Sequence, residues 1–440
     1  MAGPGNRTVG DDLAPVFALH VEGKEVSTDI TTFIKEVEYE SAIDMADILK
    51  LRVHNPGFMF TEQDNQPPDW LGHKVFQPGN EVDLFIGYGF ADTFIGRVQL
   101  AKHLPSFPED GIPMLEIQGY DRSHLMMGVE GDISGAAAGK PSFKQPRPAD
   151  AADDKGRIYA NKTHSQVVLE VTDRYGFLQV VDETTRVENV VQKKGMSDYA
   201  LVKGLGNVNR KEFKVRYNNE LRQWTAHWTS PTDDRSPQFK FQYGLGDAST
   251  LLTFDCEYGL RETINEVAVY AFDRARGTWI SALVLEDAEG PDPKFRAGGG
   301  LASRRPDSSR SGTGLATSPT GRGLIASGST GSLIEKTLSS ATEFRLAAGG
   351  VAIDVIAGRP FKSVEEAADF AQRWFLARKD NFLVGTGQLI GVETLQAGQV
   401  HILEGLGKRL SGPYYFITVK HKMNEDNPYT IEFTARKIVE

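Results

Sequence analysis

Between residues 15 and 130 apolar and polar positions alternate in short runs: PVFALHVEG, EVSTDITTFIKEVEYESA, DILKLRVHN, EVDLFIGYG, TFIGRVQLAKHL and MLEIQGYD. A period of two puts successive side chains on opposite faces of a strand, so each run reads as a half-buried β-strand. In the third run Leu49, Leu51 and Val53 keep that period, with Ile48 as an extra apolar neighbour. Turn chemistry separates the runs at Glu22-Gly23-Lys24, Asn55-Pro56-Gly57, Gly87-Tyr88-Gly89 and Pro105–Gly111. Little here has helical spacing. Residues 1–130 therefore predict a strand-rich barrel or sandwich.

The pattern changes at residue 131. GAAAGKPSFKQPRPADAADD carries almost no β-branched residue, so 131–156 reads as a linker or exposed loop. Thr163-His-Ser-Gln166 has the spacing of a capping box, and Val167 and Val171 share one face of the helix it opens, which Gly176 can close. A second short helix starts at Ser197-Asp198, and KEFKVRYNNELRQWTAHW alternates about Asn218-Asn219 as a hairpin. Residues 157–235 thus predict a small α/β module. Strand patterns return in 236–290. Over 291–340 there are 9 Gly, 10 Ser and one aromatic residue, too little apolar surface to offset ordering, so 291–343 reads as a Gly/Ser-rich flexible insertion. A further capping-box spacing, Ser363 to Glu366, opens a helix over 363–380 with Val364, Ala367, Ala368, Ala371 and Phe375 along one side. The chain closes in short strands, and 236–290 with 344–440 reads as a second barrel. The fold class is mainly β with α+β character.

Composition sharpens this in three ways. The 440 residues include 45 Gly, which suits many turns, and a single cysteine, Cys256, which excludes an internal disulfide and fits a reducing compartment. Cys256 sits in an apolar run and reads as a small buried hydrophobe. Residues 1–130 carry 21 acidic against 9 basic residues, while the whole chain has net charge −10. An acidic domain opposes gripping nucleic acid by its phosphates, yet a wall that repels phosphate suits nucleic acid sliding past. The start of the sequence lacks a signal-like apolar stretch, and no run is long enough for a membrane helix, so a soluble chain without membrane binding is expected.

Candidate chemistry is sparse. The nine histidines form neither His-x-His nor His-Glu-x-x-His, and no CxxC or Gly-x-Ser-x-Gly occurs. The carboxylate pairs Asp11-Asp12, Asp153-Asp154 and Asp233-Asp234 fall in loop-like stretches that read as solvated turns. Gly135 to Pro141 is too short for a phosphate loop, and Gly385-Thr-Gly387 with Gly391 misses the dinucleotide spacing. Lys193-Lys194 and Arg304-Arg305 lack interleaved aromatics. Catalytic, cofactor-binding and metal-binding residues are therefore expected to be none, and so are cofactors.

The last 80 residues carry the most specific motifs: Ser363-Val-Glu-Glu-Ala-Ala, Gly385-Thr-Gly387, Gly391, Leu395-Gln-Ala-Gly398, Gly405-Leu-Gly407, Ser411-Gly412-Pro-Tyr414, Val419-Lys-His421 and Tyr429-Thr-Ile-Glu-Phe433-Thr-Ala-Arg436. In this order they resemble the end of the phage late control gene D family, the baseplate hub proteins of contractile tails and related VgrG-type injection machines. Arg174-Tyr175-Gly176 and Val191-Gln192 through Ser197-Asp198-Tyr199 resemble its central module. Phe76-Gln-Pro-Gly79 and Phe94-Ile-Gly96-Arg-Val fit its tail-tube-like barrel. The resemblance covers most of the chain outside 131–156 and 291–343.

What it implies is a non-enzymatic structural hub with two tail-tube-like β-barrel domains per subunit. Such a hub is a homotrimer joining a sixfold tail tube to a threefold central spike, and it forms part of the DNA ejection channel. The implied partners are the tail tube protein, the tape measure protein, baseplate wedge proteins and DNA that passes without specific binding. Because no oligonucleotide-binding-type barrel or needle follows within the 440 residues, the spike is expected to be a separate protein. The implied location is the virion baseplate, assembled in the host cytoplasm. Two other readings stand beside it: the tail-tip hub of a non-contractile tail, and a β-rich cell-wall hydrolase with a dispersed carboxylate pair.

Overall fold

The structure, a computed structural model, describes residues 14–43, 45–59, 69–109, 111–127, 157–193, 195–231, 237–244, 249–257, 266–273, 278–285, 294–297, 323–329, 353–357, 361, 364–380, 383–424 and 429–438. The expected linker 131–156, most of 291–343 and the pairs Asp11-Asp12, Asp153-Asp154 and Asp233-Asp234 lie outside the described residues. The chain forms two compact units, Met1–Asp255 with Gly385–Ala435, and Cys256–Val384 with Arg436–Glu440.

The first unit begins with β1 (Pro15–Val21), β2 (Lys24–Glu25), the one-turn helix α1 (Thr28–Thr31), β3 (Ile34–Ala42), β4 (Ile48–His54), β5 (Glu81–Tyr88), β6 (Thr93–Ser106), β7 (Met114–Tyr120) and the short α2 (His124–Met127). The strands run in the order β3-β4-β7-β6-β5-β1-β2, antiparallel throughout. Their alternation is expressed as burial: Val37, Tyr39, Leu49, Leu51, Val53, Leu115 and Ile117 are buried, and the polar residues between them lie on the other face. The sheet curls onto itself. Tyr39 of β3 lies against Gly96 of β6, a strand that is not its neighbour, and a Cβ at residue 96 would overlap the Tyr39 ring.

The central module follows: β8 (Arg157–Thr163), α3 (His164–Asp173), β9 (Leu178–Val181), β10 (Val187–Gln192), α4 (Asp198–Asn209), β11 (Glu212–Asn218) and β12 (Gln223–Thr229). The capping box is present: Gln166 N donates to Thr163 Oγ1 at 3.2 Å, and Thr163 N donates to Gln166 Oε1 at 2.9 Å. Gly176 follows α3 with φ +68°, and Ser197 Oγ accepts from Ala200 N at 3.1 Å at the start of α4. The helices bury Val167, Val168, Val171, Leu201, Val202 and Leu205 in one core with Trp228.

β13 (Lys240–Gln242) and β14 (Leu251–Glu257) lead into the second unit, β15 (Glu266–Asp273), β16 (Thr278–Leu285), β17 (Lys294–Ala297), β18 (Gly323–Ser329), β19 (Ile353–Ala357) and α5 (Val364–Asp380). The chain then returns with β20 (Val384–Ile390), β21 (Val400–Glu404), a short turn of helix α6 (Gly407–Leu410), β22 (Gly412–Asn424) and β23 (Thr430–Lys437). Here the structure differs from the sequence reading. Residues 266–285 and the helix expected over 363–380 do not join the second barrel. They form a separate sheet, β17-β18-β16-β15-β19, in which Val267 and Val269 pack with Ala367, Ala368, Ala371 and Phe375 of α5. The alanine stripe of α5 signals that it covers a sheet, without specifying which one. Within the Gly/Ser-rich stretch, β17 and β18 are strands; Leu324, Ile325 and Ala326 supply the short apolar run, and Ile325 and Ala326 pair with Leu283 and Ala282. Cys256 is half-buried rather than buried, because only part of β14 faces a core.

The remaining strands close a ring: β14-β20-β23-β22-β21-β13, sealed where Tyr243, just past β13, bridges Leu251 of β14. Buried Phe241, Leu389, Leu403, Phe416 and Phe433 belong to it, and the Phe416 and Phe433 rings stack at 4.6 Å. The glycines singled out in the sequence make this stacking fit. A Cβ at Gly387 would overlap Phe433, and one at Gly391 would overlap Tyr429. The mainly β, α+β class expected from the sequence is the class observed. The long β22 pairs with β21 through its first residues and with β3 through its last, so both strand sets share one 13-stranded sheet.

Gly96→Ala forces the buried Tyr39 ring to move and is expected to cost about 1–3 kcal/mol of stability by denaturant unfolding. Gly72→Ala, where a Cβ meets nothing within 4 Å, is the control and should be nearly silent.

Candidate functional surface

The face of the joined sheet opposite its cores is charged, and from β22 through β3, β4 and β7 to β6 the sign of the charge alternates strand by strand. Glu432 lies on β23, Lys420 and Lys422 on β22, Glu36, Glu38 and Glu40 on β3, Lys50 and Arg52 on β4, Glu116 on β7 and Lys102 on β6. The antiparallel register creates this order, setting Glu38 between Lys422 and Lys50, and Glu36 beside Arg52. Lys422 Nζ lies 3.2 Å from Glu36 and 3.2 Å from Glu38. Lys420 Nζ lies 3.2 Å from Glu38 and 3.6 Å from Glu432, and Arg52 Nη1 donates to Glu36 at 3.1 Å. Burial alone would raise the Glu36 carboxyl, but Arg52 and Lys422 hold it below its ordinary pKa. Burial would lower the Lys422 ammonium, and Glu36 and Glu38 hold it above its ordinary value. A cleft of about 240 Å³ on this face is lined by Glu36, Glu38, Lys50, Arg52, Glu116 and Lys422.

Behind this face a polar joint ties the two strand sets to the central module. Asp47 N donates to Asp121 Oδ2 at 2.7 Å, and Tyr39 Oη donates to Asp47 Oδ2 at 2.9 Å. Burial and the neighbouring Asp47 raise the Asp121 carboxyl above its ordinary pKa, against the pull of the backbone N–H groups of Asp47 and Ser123, whose hydrogen bonds it accepts. Burial raises Asp47 too, and Arg216 opposes that rise. Arg216, on β11, donates to Ser41 Oγ at 3.0 Å, to Ala397 O at 2.8 Å and to Gln396 Oε1 at 3.0 Å. The Tyr415 hydroxyl donates to Glu212 of the same strand. One guanidinium thereby reaches the end of β3 and the loop before β21.

The acidic residues of 1–130 were expected as an unbalanced class. On this face they are balanced, because Lys420 and Lys422 arrive from the far end of the chain. The signal was present in the alternation of Glu through EVEYES and of Lys through VKHKM, which read together are two complementary strand faces. His164, His401 and His421 are buried and act structurally. His164 has both ring nitrogens engaged, with Glu188 at 2.5 Å and Asn209 at 2.7 Å. His421 bonds Tyr429 and the Leu395 carbonyl, and His401 is fully buried among Phe239, Phe241 and Phe416 with neither nitrogen hydrogen-bonded. Gly385 and Gly387 lie within β20, not in a loop that could cradle phosphate. Among the described residues no group of three or more His, Cys, Asp or Glu could hold a metal ion, and no helix is long and apolar enough to cross a membrane.

No protein-family model matches the sequence, and no curated protein matches it. Solved structures do. The 43 kDa tail protein of prophage MuSo2 from Shewanella oneidensis is similar over 96% of this chain and 98% of its own, with TM-score 0.56 at 10% identity. The tail protein from Neisseria meningitidis MC58 is similar over 96% and 97%, with TM-score 0.58 at 8% identity. The fold is thus one found in tail proteins, and nearly the whole chain takes part in the likeness.

Burial lowers His401 to about 3 and His421 to about 4, against about 6.5 unfolded. The unfolded state then binds more protons, so stability is whole above about pH 6.5 and falls as pH drops toward 4. His401→Leu removes a buried imidazole without hydrogen bonds. It is expected to raise stability at pH 7 by about 1 kcal/mol and to flatten the loss between pH 6.5 and 4 by up to about 1.4 kcal/mol per pH unit, read by urea unfolding at each pH. An unchanged acid slope contradicts this.

Proposed function

We propose that the protein is a structural component of a phage-type tail: the baseplate hub of a contractile tail or a related injection machine. The observation that carries this reading is the likeness in fold to two tail proteins over 96% of the chain. In the proposed assembly three copies form a ring, with two tube-like strand sets in each copy, between a sixfold tail tube and a threefold spike supplied by another protein. Tape measure and baseplate wedge proteins are its other partners, the virion tail is its location, and it turns over no substrate.

The charged sheet face suits the wall of a conduit. Its opposite charges neutralise one another, so a passing phosphate backbone meets little net field. The strand pairing beneath it makes that wall continuous across both strand sets.

Light scattering over a tenfold concentration range, alone and with the candidate spike protein, tests the assembly. The expected mass is three times the 48.4 kDa monomer, either alone or once spike is added. A monomer under both conditions contradicts it.

A further inference from the structure

The ladder on the sheet face is layered as well as alternating. The Glu36 and Glu38 side chains are 13% and 14% exposed, whereas Lys420 and Lys422 are 23% and 25%, Lys50 is 36% and Arg52 is 54%. On β22, β3 and β4 the cations are therefore the outer charges and Glu36 and Glu38 form the floor between their columns, while Glu432 on β23, 46% exposed, stands at the rim. Five cations, Lys50, Arg52, Lys102, Lys420 and Lys422, stand on three alternate strands, about 10 Å apart from column to column. Without the floor this is the footprint of a phosphate-binding surface. With it, each β22 lysine has two carboxylates within ion-pair distance, and Glu38 alone faces Lys50 at 4.0 Å and Lys420 and Lys422 at 3.2 Å.

We infer that Glu38, with Glu36, masks a latent nucleic-acid-binding surface built from Lys420, Lys422, Lys50 and Arg52, so that DNA touches this face without adhering to it. This deepens the conduit reading and rests on it for its biological sense, while the masking itself is a property of the folded chain. The energetic reason is ion exchange. A phosphate gains affinity by releasing counterions, and an ammonium already neutralised by two protein carboxylates offers less of that gain. Glutamine keeps the shape and hydrogen-bonding reach of glutamate and removes its charge, which leaves Lys422 in place without either of its carboxylates and Lys420 with Glu432 alone.

The test is binding of a fluorescently labelled DNA duplex to the full chain, by anisotropy, in about 50 mM salt and upward. Wild type is expected to bind weakly. Glu36→Gln/Glu38→Gln is expected to bind at least tenfold more tightly, with an affinity that falls steeply as salt rises. Adding Lys420→Gln/Lys422→Gln should return it to the wild-type level. Glu25→Gln/Asp29→Asn removes the same charge at exposed positions away from the ladder and should not move affinity. The single Glu38→Gln is the milder variant should the double fail to fold, and it should give a smaller gain in the same direction. No gain in the folded Gln variants, an equal gain in the control, or a gain that survives loss of both lysines overturns the inference. A trimer in light scattering with no gain in DNA binding removes the masking and leaves the hub reading. A gain in a protein that stays monomeric with spike present removes the hub and leaves the masking.

Discussion

Seven residue pairs between β3 and β22, from Ala42 opposite Thr418 to Glu36 opposite Asn424, join strands nearly four hundred residues apart in the chain. Without them β3 and the second half of β22 would each present a row of unpaired backbone groups, and the two strand sets would be separate bodies. With them the inner faces line up, Tyr39 beside His421 and Val37 beside Met423, all buried. The outer faces line up too, which brings the glutamates of one set against the lysines of the other. The charged face is thus a consequence of one register. A slip by one residue would turn the lysines inward and His421 and Met423 outward.

The polar joint behind the sheet works alongside this pairing. Arg216 leaves the central module to reach Ser41 and the Gln396–Ala397 loop, while the two Asp121 carboxyl oxygens accept the backbone N–H groups of Asp47 and Ser123. Such a seam is costly to break on one side, since removing either partner strands a buried polar group. It is also more specific than an apolar contact, because its donors and acceptors fit only one placement of the module. Exposed ion pairs on the outer face contribute little each, roughly 0–1 kcal/mol, so their role lies in the field they cancel rather than in holding the fold.

Local signals in the sequence were read well and distant ones were not. Period two in ILKLRV and MLEIQG, the Thr163–Gln166 cap and the Asn218-Asn219 hairpin each depend on residues a few positions apart, and each appears where expected. The placement of residues 266–285 and of α5 was not legible, since an alanine stripe fits any sheet with small apolar partners. The balanced face was also missed, because a charge sum over 1–130 leaves out the lysines at 420 and 422. Gly387 and Gly391 were noticed as motif positions, and only the packed rings of Phe433 and Tyr429 explain why a side chain is excluded there.

Amide hydrogen exchange, resolved to β3 and β22, tests the central claim most directly: that these strands pair and make one sheet of both strand sets. The account predicts slow exchange for the amides that cross the β3–β22 ladder, comparable with β4 and β7 inside the first set. Fast exchange across that ladder, with both strand sets otherwise protected, would contradict it.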